Sequence, residues 1–279
     1  MKDIGGFILC GLRRRKSFAA SEGFLPSDMD RSTPAKMSMV NAYGSDLAYI
    51  HDVGFGHFAR SAAPGLLKLI RQGRKVRGLV VDLGCGSGIW ARELCSAGYD
   101  VLGIDISDAM ITLARKRAPK AEFRRASFLT AEIPPCAAVT AMGECFSYLF
   151  DASNTKRGLS SLFRRVHEVL QPGGLLIFDV AAPGRVPGPG PQRSYREGDD
   201  WVVLVAAQED HKLLTRRITI FRRVGELYRR DYEVHRLRLF KGPELAEQLR
   251  DMGFRVRMLA GYGRMRFPPG HIGLLARKP

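Results

Sequence analysis

Residues 80–88 read Val-Val-Asp-Leu-Gly-Cys-Gly-Ser-Gly, an apolar run that ends at Asp82 and breaks into glycines at alternate positions, Gly84, Gly86 and Gly88. Glycine lacks the Cβ that would block close approach or forbid positive φ, so a ligand can touch the backbone of such a turn. Ile89 to Leu94 then carry the apolar spacing of a starting helix. A strand, a glycine turn and a helix N-terminus together make a ligand site, and two classes of ligand use one. Dinucleotide sites ask for Gly-x-Gly-x-x-Gly, but here the third glycine's place is taken by Ile89. The five cysteines, Cys10, Cys85, Cys95, Cys136 and Cys145, include no Cys-x-x-Cys pair, and His211, His235 and His271 lack metal-ligand spacing. Neither a metal nor a redox pair is expected.

The elements that must position this turn alternate. Strand 79–83 is followed by helix 89–97 ending at Gly98, strand 101–106, a helix 108–117 capped by Ser107 or Asp108, and a short strand 122–124. Strand 137–142, helix 156–170 and, after a break at Gln171-Pro172-Gly173-Gly174, strand 175–180 complete the series. Alternation of this kind predicts a parallel sheet with helices on both faces. Upstream, 46–71 has helical spacing in two stretches, with a break expected at Pro64-Gly65 and a stop at Gly73. Downstream, the Pro- and Gly-rich stretch 181–199 reads as a mobile, non-helical segment. Strands at 201–208, 213–222 and 228–240, with turns near Asp210-His211 and Gly225-Glu226, form an antiparallel meander. A helix at 243–252 and strands at 254–259 and 273–276 close the chain. In the third meander strand Asp231, Glu233, His235, Leu237 and Leu239 share one face; Tyr228, Arg230, Tyr232, Val234, Arg236 and Arg238 share the other.

Asp82–Gly88 resembles the first motif of the class I S-adenosylmethionine-dependent methyltransferases. Asp105, ending the strand in Val101–Ser107, matches the family's acidic residue at that place, and a carboxylate can accept from both ribose hydroxyls at once. Val169–Gly174 is similar to the family's helix end before the fifth strand, and Ala137–Tyr148, with Gly143-Glu144 after the strand, to its fourth motif. The resemblance runs from about Tyr43 to the C-terminus. It implies an α/β, Rossmann-like seven-stranded sheet, mostly parallel with an antiparallel last strand, and an antiparallel strand insertion after the fifth strand. Residues 1–39 would be a flexible arm and 40–279 one methyltransferase domain. Within that domain, 40–78 would be a helical cap, 79–180 the cofactor-binding half, 181–241 the loop and substrate cover, and 242–279 the closing helix and strands.

The same resemblance implies S-adenosyl-L-methionine as cofactor. Gly84, Cys85, Gly86 and Gly88 would lie against its methionine part, with Asp82 positioning its amino group. Asp105 would hold the ribose. Ile106 and Met110 would flank the adenine, with Ser127 and Phe128 at its edge, although many members carry an acid at the place of Ser127. Gly143 and Glu144 would sit beside the sulfonium, and the N-terminal helix with Tyr49, His51, Phe55, Phe58 and Arg60 would close over it. Methyl transfer from a sulfonium needs alignment and exclusion of water, and a base only where the nucleophile arrives protonated. Family geometry places His51, Glu144 and His235 as candidate catalytic residues. Asp52, adjacent to His51 on a helix, points elsewhere.

The 279 residues, 45% hydrophobic and 26% charged, can bury a core. No apolar run is long enough to cross a membrane, and the basic cluster Arg13–Lys16 follows rather than precedes the short apolar patch 4–12, so a cytoplasmic location is expected. Pro134-Pro135-Cys136 precedes the fourth strand, the wrong side for a cytosine-5 nucleophile, and no Asn-Pro-Pro-Tyr follows that strand. The net charge of +16 leaves two acceptors open. The meander and the strand 233–240 resemble the substrate cover of small-molecule methyltransferases, the preferred reading. The alternative is an RNA substrate held by Arg216, Arg217, Arg222, Arg223, Arg229, Arg230, Arg236 and Arg238, which Glu226, Asp231 and Glu233 interrupt. A non-catalytic binding protein of the same fold is the third expectation, disfavoured by the intact Asp82, glycines and Asp105.

Overall fold

The computed structural model describes residues 43–72, 78–188 and 190–279, so the expected arm and Gly73 lie outside the described residues. The chain opens with α1 (Ser45–Ile50), a π-helical turn His51–Phe55 and α2 (His57–Gln72). It then alternates β1 (Leu79–Leu83), α3 (Ile89–Ser96), β2 (Asp100–Asp105), α4 (Asp108–Arg117), β3 (Glu122–Arg125), β4 (Cys136–Ala141), α5 (Lys156–Val169) and β5 (Leu170–Ala181). Four strands follow, β6 (Gln192–Gly198), β7 (Trp201–Glu209), β8 (Leu213–Val224) and β9 (Leu227–Arg238). Helix α6 (Gly242–Asp251), β10 (Arg255–Leu259), the short pair β11 (Gly261–Tyr262) and β12 (Met265–Arg266), and β13 (His271–Arg277) complete the chain.

Seven strands form one sheet in the order β10-β13-β5-β4-β1-β2-β3. Pairs β1–β2, β1–β4, β2–β3 and β4–β5 are parallel, whereas β13 runs antiparallel to β5 and β10. β4 is buried along its whole length and β1 along all but its first residue, which explains their unbroken apolar runs. One face packs on α5 and α6 through Leu159, Phe163, Val166, Leu245 and Leu249. The other packs on α2, α3 and α4 through Leu66, Ile70, Trp90, Leu94 and Ile111. Ser107 caps α4, its Oγ accepting from Met110 N at 3.3 Å.

A second, antiparallel sheet β6-β7-β8-β9 lies between β5 and α6 in the chain. It corrects the expectation of a mobile segment to residue 199, because 192–198 pairs with β7 over seven residues. Glu197↔Val202 and Tyr195↔Leu204 are side-by-side pairs that a single strand's composition does not reveal. The turns at 210–212 and Gly225-Glu226 fall as expected, and so does the parity of β9, where Glu233, His235 and Leu237 are buried while Tyr232 and Val234 are exposed. Trp201, Val203, Ile218 and Ile220 pack against Leu47, Ile50 and Phe55, so this sheet presses α1 and the π turn toward the seven-stranded sheet.

Two other expectations shift. β5 already begins at Leu170, with Gln171–Gly174 absorbed as a bulge against β4. The N-terminal helix breaks at 51–56, where Gly54 meets the Trp201 ring and Gly56 meets Ile89, and α2 runs through Pro64. Pro64 is exposed, as is Arg60, the residue whose carbonyl loses its helical partner, so water can replace that bond. Gly65 faces inward, where a Cβ would lie 2.3 Å from the Tyr262 backbone. Gly→Ala inside a helix ordinarily stabilises by up to about 1 kcal/mol. Gly65→Ala is expected to reverse that sign and cost about 1–3 kcal/mol through overpacking, read as a lower denaturation midpoint with an unchanged slope.

Candidate active site

β1 lies between β2 and β4, where the strand order reverses, and the main cavity opens beyond the carboxyl ends of these strands. The glycine turn lines it. Gly84 and Gly86 have φ of +71° and +53°, and a Cβ on Gly86 would meet nothing within 4 Å, so that side of the turn is open to a ligand. Asp105 accepts from Gly86 N and Ser107 N, both at 2.9 Å, one on each oxygen. Each oxygen keeps a further lone pair for a hydroxyl. Asp82 accepts from Thr140 Oγ1 at 2.8 Å, and Thr140 in turn accepts from Trp90 Nε1 at 3.1 Å. Burial pushes the Asp82 carboxyl up to about 7 despite the Thr140 hydrogen bond, with Asp105 adding to the rise.

The other end of the cavity is polar. Glu144 follows β4 in a left-handed conformation, φ +65°, and is 4% exposed. Its carboxylate pairs with Arg185 Nη2 at 2.7 Å and Arg216 Nη2 at 3.1 Å. Burial raises its pKa, but the two guanidiniums outweigh burial and hold the group at about 2. Behind it, Asp179 accepts from Glu144 N (2.7 Å), Gly143 N (3.1 Å), Tyr262 Oη (2.8 Å) and His271 Nε2 (2.7 Å). Tyr43, His51, Phe55, Tyr148 and Phe150 form the remaining wall. Desolvation lowers His51 to about 4, so its ring is neutral, and burial raises Tyr43 and Tyr148, which remain phenols.

A methyltransferase-domain family matches residues 80–174, the segment that carries the turn, Asp105 and Glu144. The putative methyltransferase YqeM of Bacillus subtilis is 26% identical over 186 residues, 64% of this chain and 74% of its own length. An S-adenosylmethionine-dependent methyltransferase from Clostridium acetobutylicum superposes with a TM-score of 0.71 at 20% identity, covering 83% of this chain and 97% of that one. The sugar N-methyltransferase KedS8 from Streptoalloteichus superposes at 0.67 with 17% identity, over 90% of this chain and 98% of its own. The chain is a class I S-adenosylmethionine-dependent methyltransferase. Its residues fit that cofactor: an open glycine cradle, a buried carboxylate ready to ionise beside a cation, and a second carboxylate with lone pairs free for a diol.

In this methyltransferase the cavity collects Asp82, Gly84, Cys85, Gly86, Asp105, Ile106, Met110, Ser127, Phe128, Gly143, Glu144 and His51. Four other candidates lie elsewhere. Gly88 (φ +74°) serves packing, since a Cβ there would meet Ala114 Cα at 2.9 Å. Tyr49 turns outward, its hydroxyl 3.2 Å from Asp200 and its ring under the Arg222 guanidinium at 3.8 Å. Arg60 is exposed and absent from the cavity wall. His235 is fully buried behind Tyr43, Tyr148 and Phe150, its Nε2 2.8 Å from Glu233. Glu144, doubly ion-paired and ionised, cannot serve as a proton acceptor near neutral pH. Asp52 leaves the cavity, as expected, to pair with Arg117 Nη2 at 2.7 Å.

Several wall residues escaped the sequence: Tyr43, Arg185, Arg216, His271 and, behind them, Asp179. Asp151 also escaped, although it lines the cavity and accepts from Ser127 Oγ. Buried Arg216 could have been suspected from the parity of β8, where it alternates with the apolar Leu214 and Ile218. The Glu144 cluster carries a pH prediction. A folded-state pKa of about 2 against 4.5 stabilises the fold above pH 4.5 by about 3 kcal/mol, lost as pH falls through 2. Glu144→Gln is expected to flatten that acid slope in denaturation curves taken between pH 5 and pH 2.

Proposed function

We propose that this methyltransferase transfers the methyl group of S-adenosylmethionine to a small-molecule nucleophile. The observation that carries this reading is the enclosure of the cavity's polar end. The π turn with His51 and Phe55, the segment at Tyr43 and the second sheet cover it, leaving a site walled by Tyr43, Tyr148, Phe150, Arg185 and Arg216. The likeness of the fold to a sugar N-methyltransferase over nearly its full length supports the same acceptor class.

The arginines of the insertion favour it too. Buried Arg216 is bound to Glu144, and at or near the surface Arg222 and Arg229 are bound to Asp46 and Arg238 to Asn154, so half of the eight that could have formed a phosphate surface are engaged by the protein's own acceptors. Arg217, Arg223, Arg230 and Arg236 are exposed, on the sheet face opposite the one that packs on α1.

Bound S-adenosylmethionine supplies an electrophilic methyl group on a sulfonium. In our reading Asp105 holds the ribose diol, Asp82 the ammonium, and Gly86 admits the methionine chain against the backbone, while Gly84 makes room for Cys145, whose Sγ a Cβ there would meet at 2.4 Å. The aromatic wall excludes water. Ile106, Met110 and Phe128 clamp the base.

Methyl-tritiated cofactor incubated with a metabolite extract and with total RNA is expected to label the low-mass fraction; label confined to RNA would reverse the assignment. Asp105→Ala should weaken S-adenosylhomocysteine binding by roughly 10–100-fold, the loss of charge-assisted hydrogen bonds of about 1.5–3 kcal/mol. Asp82 supplies a separate sign. Its free carboxyl, near 7, is largely protonated at pH 6 and must ionise to pair with the cofactor's ammonium. Calorimetry at pH 6 in two buffers of different ionisation enthalpy should therefore show up to one proton released on binding, and none from Asp82 in Asp82→Asn.

A further inference from the structure

The wall at the polar end of the cavity contains a buried, firmly oriented histidine. His271 begins β13 and its side chain is 3% exposed. Its ring is slotted between Phe267, stacked at 4.3 Å and 3°, and Phe58, at 5.7 Å and 24°, which fixes the ring plane. Nε2 lies 2.7 Å from Asp179 Oδ1. Asp179 already receives two backbone N–H groups and the Tyr262 hydroxyl, so it is an acceptor and the imidazole nitrogen facing it carries the hydrogen. That assignment leaves Nδ1 with a lone pair. Nδ1 has no hydrogen-bond partner among the described residues, although it is buried. Glu144 Oε1, at 3.9 Å, is too far for a hydrogen bond and is an acceptor too. A buried, unsatisfied acceptor at a cavity wall asks for a donor.

We propose that His271 Nδ1, oriented through Asp179, is the general base that takes the proton of the methyl acceptor. This rests on the small-molecule methyl-transfer reading, and it narrows the acceptor to a nucleophile that arrives carrying a hydrogen, an amine or a hydroxyl. As the acceptor's electron pair forms the bond to the methyl carbon, the carbon–sulfur bond breaks and its pair stays on sulfur. The acceptor's proton passes to Nδ1. The imidazolium so formed stands between two carboxylates, Asp179 and Glu144, and its charge is met there. Arg185, whose Nη1 reaches Pro269 O at 3.5 Å, is the nearby cation, and it is engaged by Glu144. His51 also has a buried, unpartnered Nδ1 at the cavity, but no carboxylate hydrogen-bonds its ring among the described residues and desolvation lowers it to about 4.

Two measurements test the assignment. Nitrogen NMR of the whole protein with S-adenosylhomocysteine, near pH 8, should show His271 as the tautomer with Nε2 protonated and Nδ1 bare; a protonated Nδ1 in the neutral ring overturns the proposal whatever the substrate is. The six histidines of the chain are separated by comparison with His271→Gln. His271→Ala should keep S-adenosylhomocysteine affinity within about threefold and lose kcat by roughly 10²–10⁴-fold. The acid limb of its pH profile should vanish, and added imidazole should restore part of the rate. Retention of more than a tenth of kcat with an unchanged acid limb would overturn it. Wild-type enzyme that labels no small molecule would instead sink the acceptor reading, and the NMR result would still judge the tautomer.

Discussion

The buried carboxylate of Glu144 joins the two sheets. It stands on the turn after β4 and receives Arg185 from the loop after β5 and Arg216 from the middle of β8, with His271 of β13 beside it. Such a cluster costs desolvation, and its worth is that the alternatives are worse: removing one partner of a buried pair strands the other, at about 3–5 kcal/mol. The second sheet therefore cannot slide against the first without breaking an ion pair. The turn itself is held off its relaxed geometry. Glu144 sits at φ +65°, a conformation that costs a non-glycine residue of order 1 kcal/mol or more, and Asp179 pins it by accepting the Glu144 N–H. The loop of Arg185 is fixed in the same manner, since Gly184, Arg185 and Val186 all donate their N–H groups to Glu209.

Among the described residues Tyr43 is the other non-glycine residue with positive φ, +53°, and it too faces the cavity. Glu233 accepts from Tyr43 N and Gly44 N, while Ser107 donates to the Tyr43 carbonyl. Asp46 is tied to Arg222 and Arg229, and Asp52 to Arg117 and Ser87. The cover over the cavity's polar end is thus held by discrete polar ties around a small apolar contact of Leu47, Ile50 and Phe55 with Trp201 and Ile220. Glu233 explains a residue that looked catalytic in the sequence: His235 supports the carboxylate that straps Tyr43, and so acts from directly behind the cavity wall.

What the sequence made legible follows from how local each signal is. The glycine turn and Asp105 lie 19 residues apart and meet through adjacent parallel strands, and strand–helix alternation was enough to place them. Ser107 as a cap, the turns of the meander and the inner face of β9 were equally readable, because capping, turn chemistry and parity are properties of a few neighbouring residues. The strand at 192–198 was not readable, because its polar, glycine-flanked composition is that of an edge strand whose pairing comes from β7. Nor was the passage of α2 through Pro64, which is tolerated because the carbonyl it leaves unpaired lies at an exposed position, or the packing of Gly65 on the Tyr262 backbone nearly two hundred residues on. Tyr49 and Arg60 were misplaced for a related reason: the π turn at 51–55 rotates the helix faces on either side of it.

The two ends of the cavity differ in the distance along the chain from which they are assembled. The donor end needs backbone and two carboxylates within one strand–turn–helix–strand stretch. The acceptor end joins groups separated by 72 residues (Glu144 and Arg216), 92 (Asp179 and His271) and 190 (Tyr43 and Glu233). A family motif therefore records the donor, whose chemistry is shared, and is blind to the acceptor. The long-range groups are also not independent of one another. A change at Glu144 strands Arg185 and Arg216, and a change at Asp179 frees Glu144 N, Tyr262 and His271 together, so substitutions there should couple strongly and not add. In the proposed reading, acceptor specificity would change most independently through Phe55 and Phe150 of the aromatic wall, which contribute shape, and only in concert through the ionic cluster beneath it.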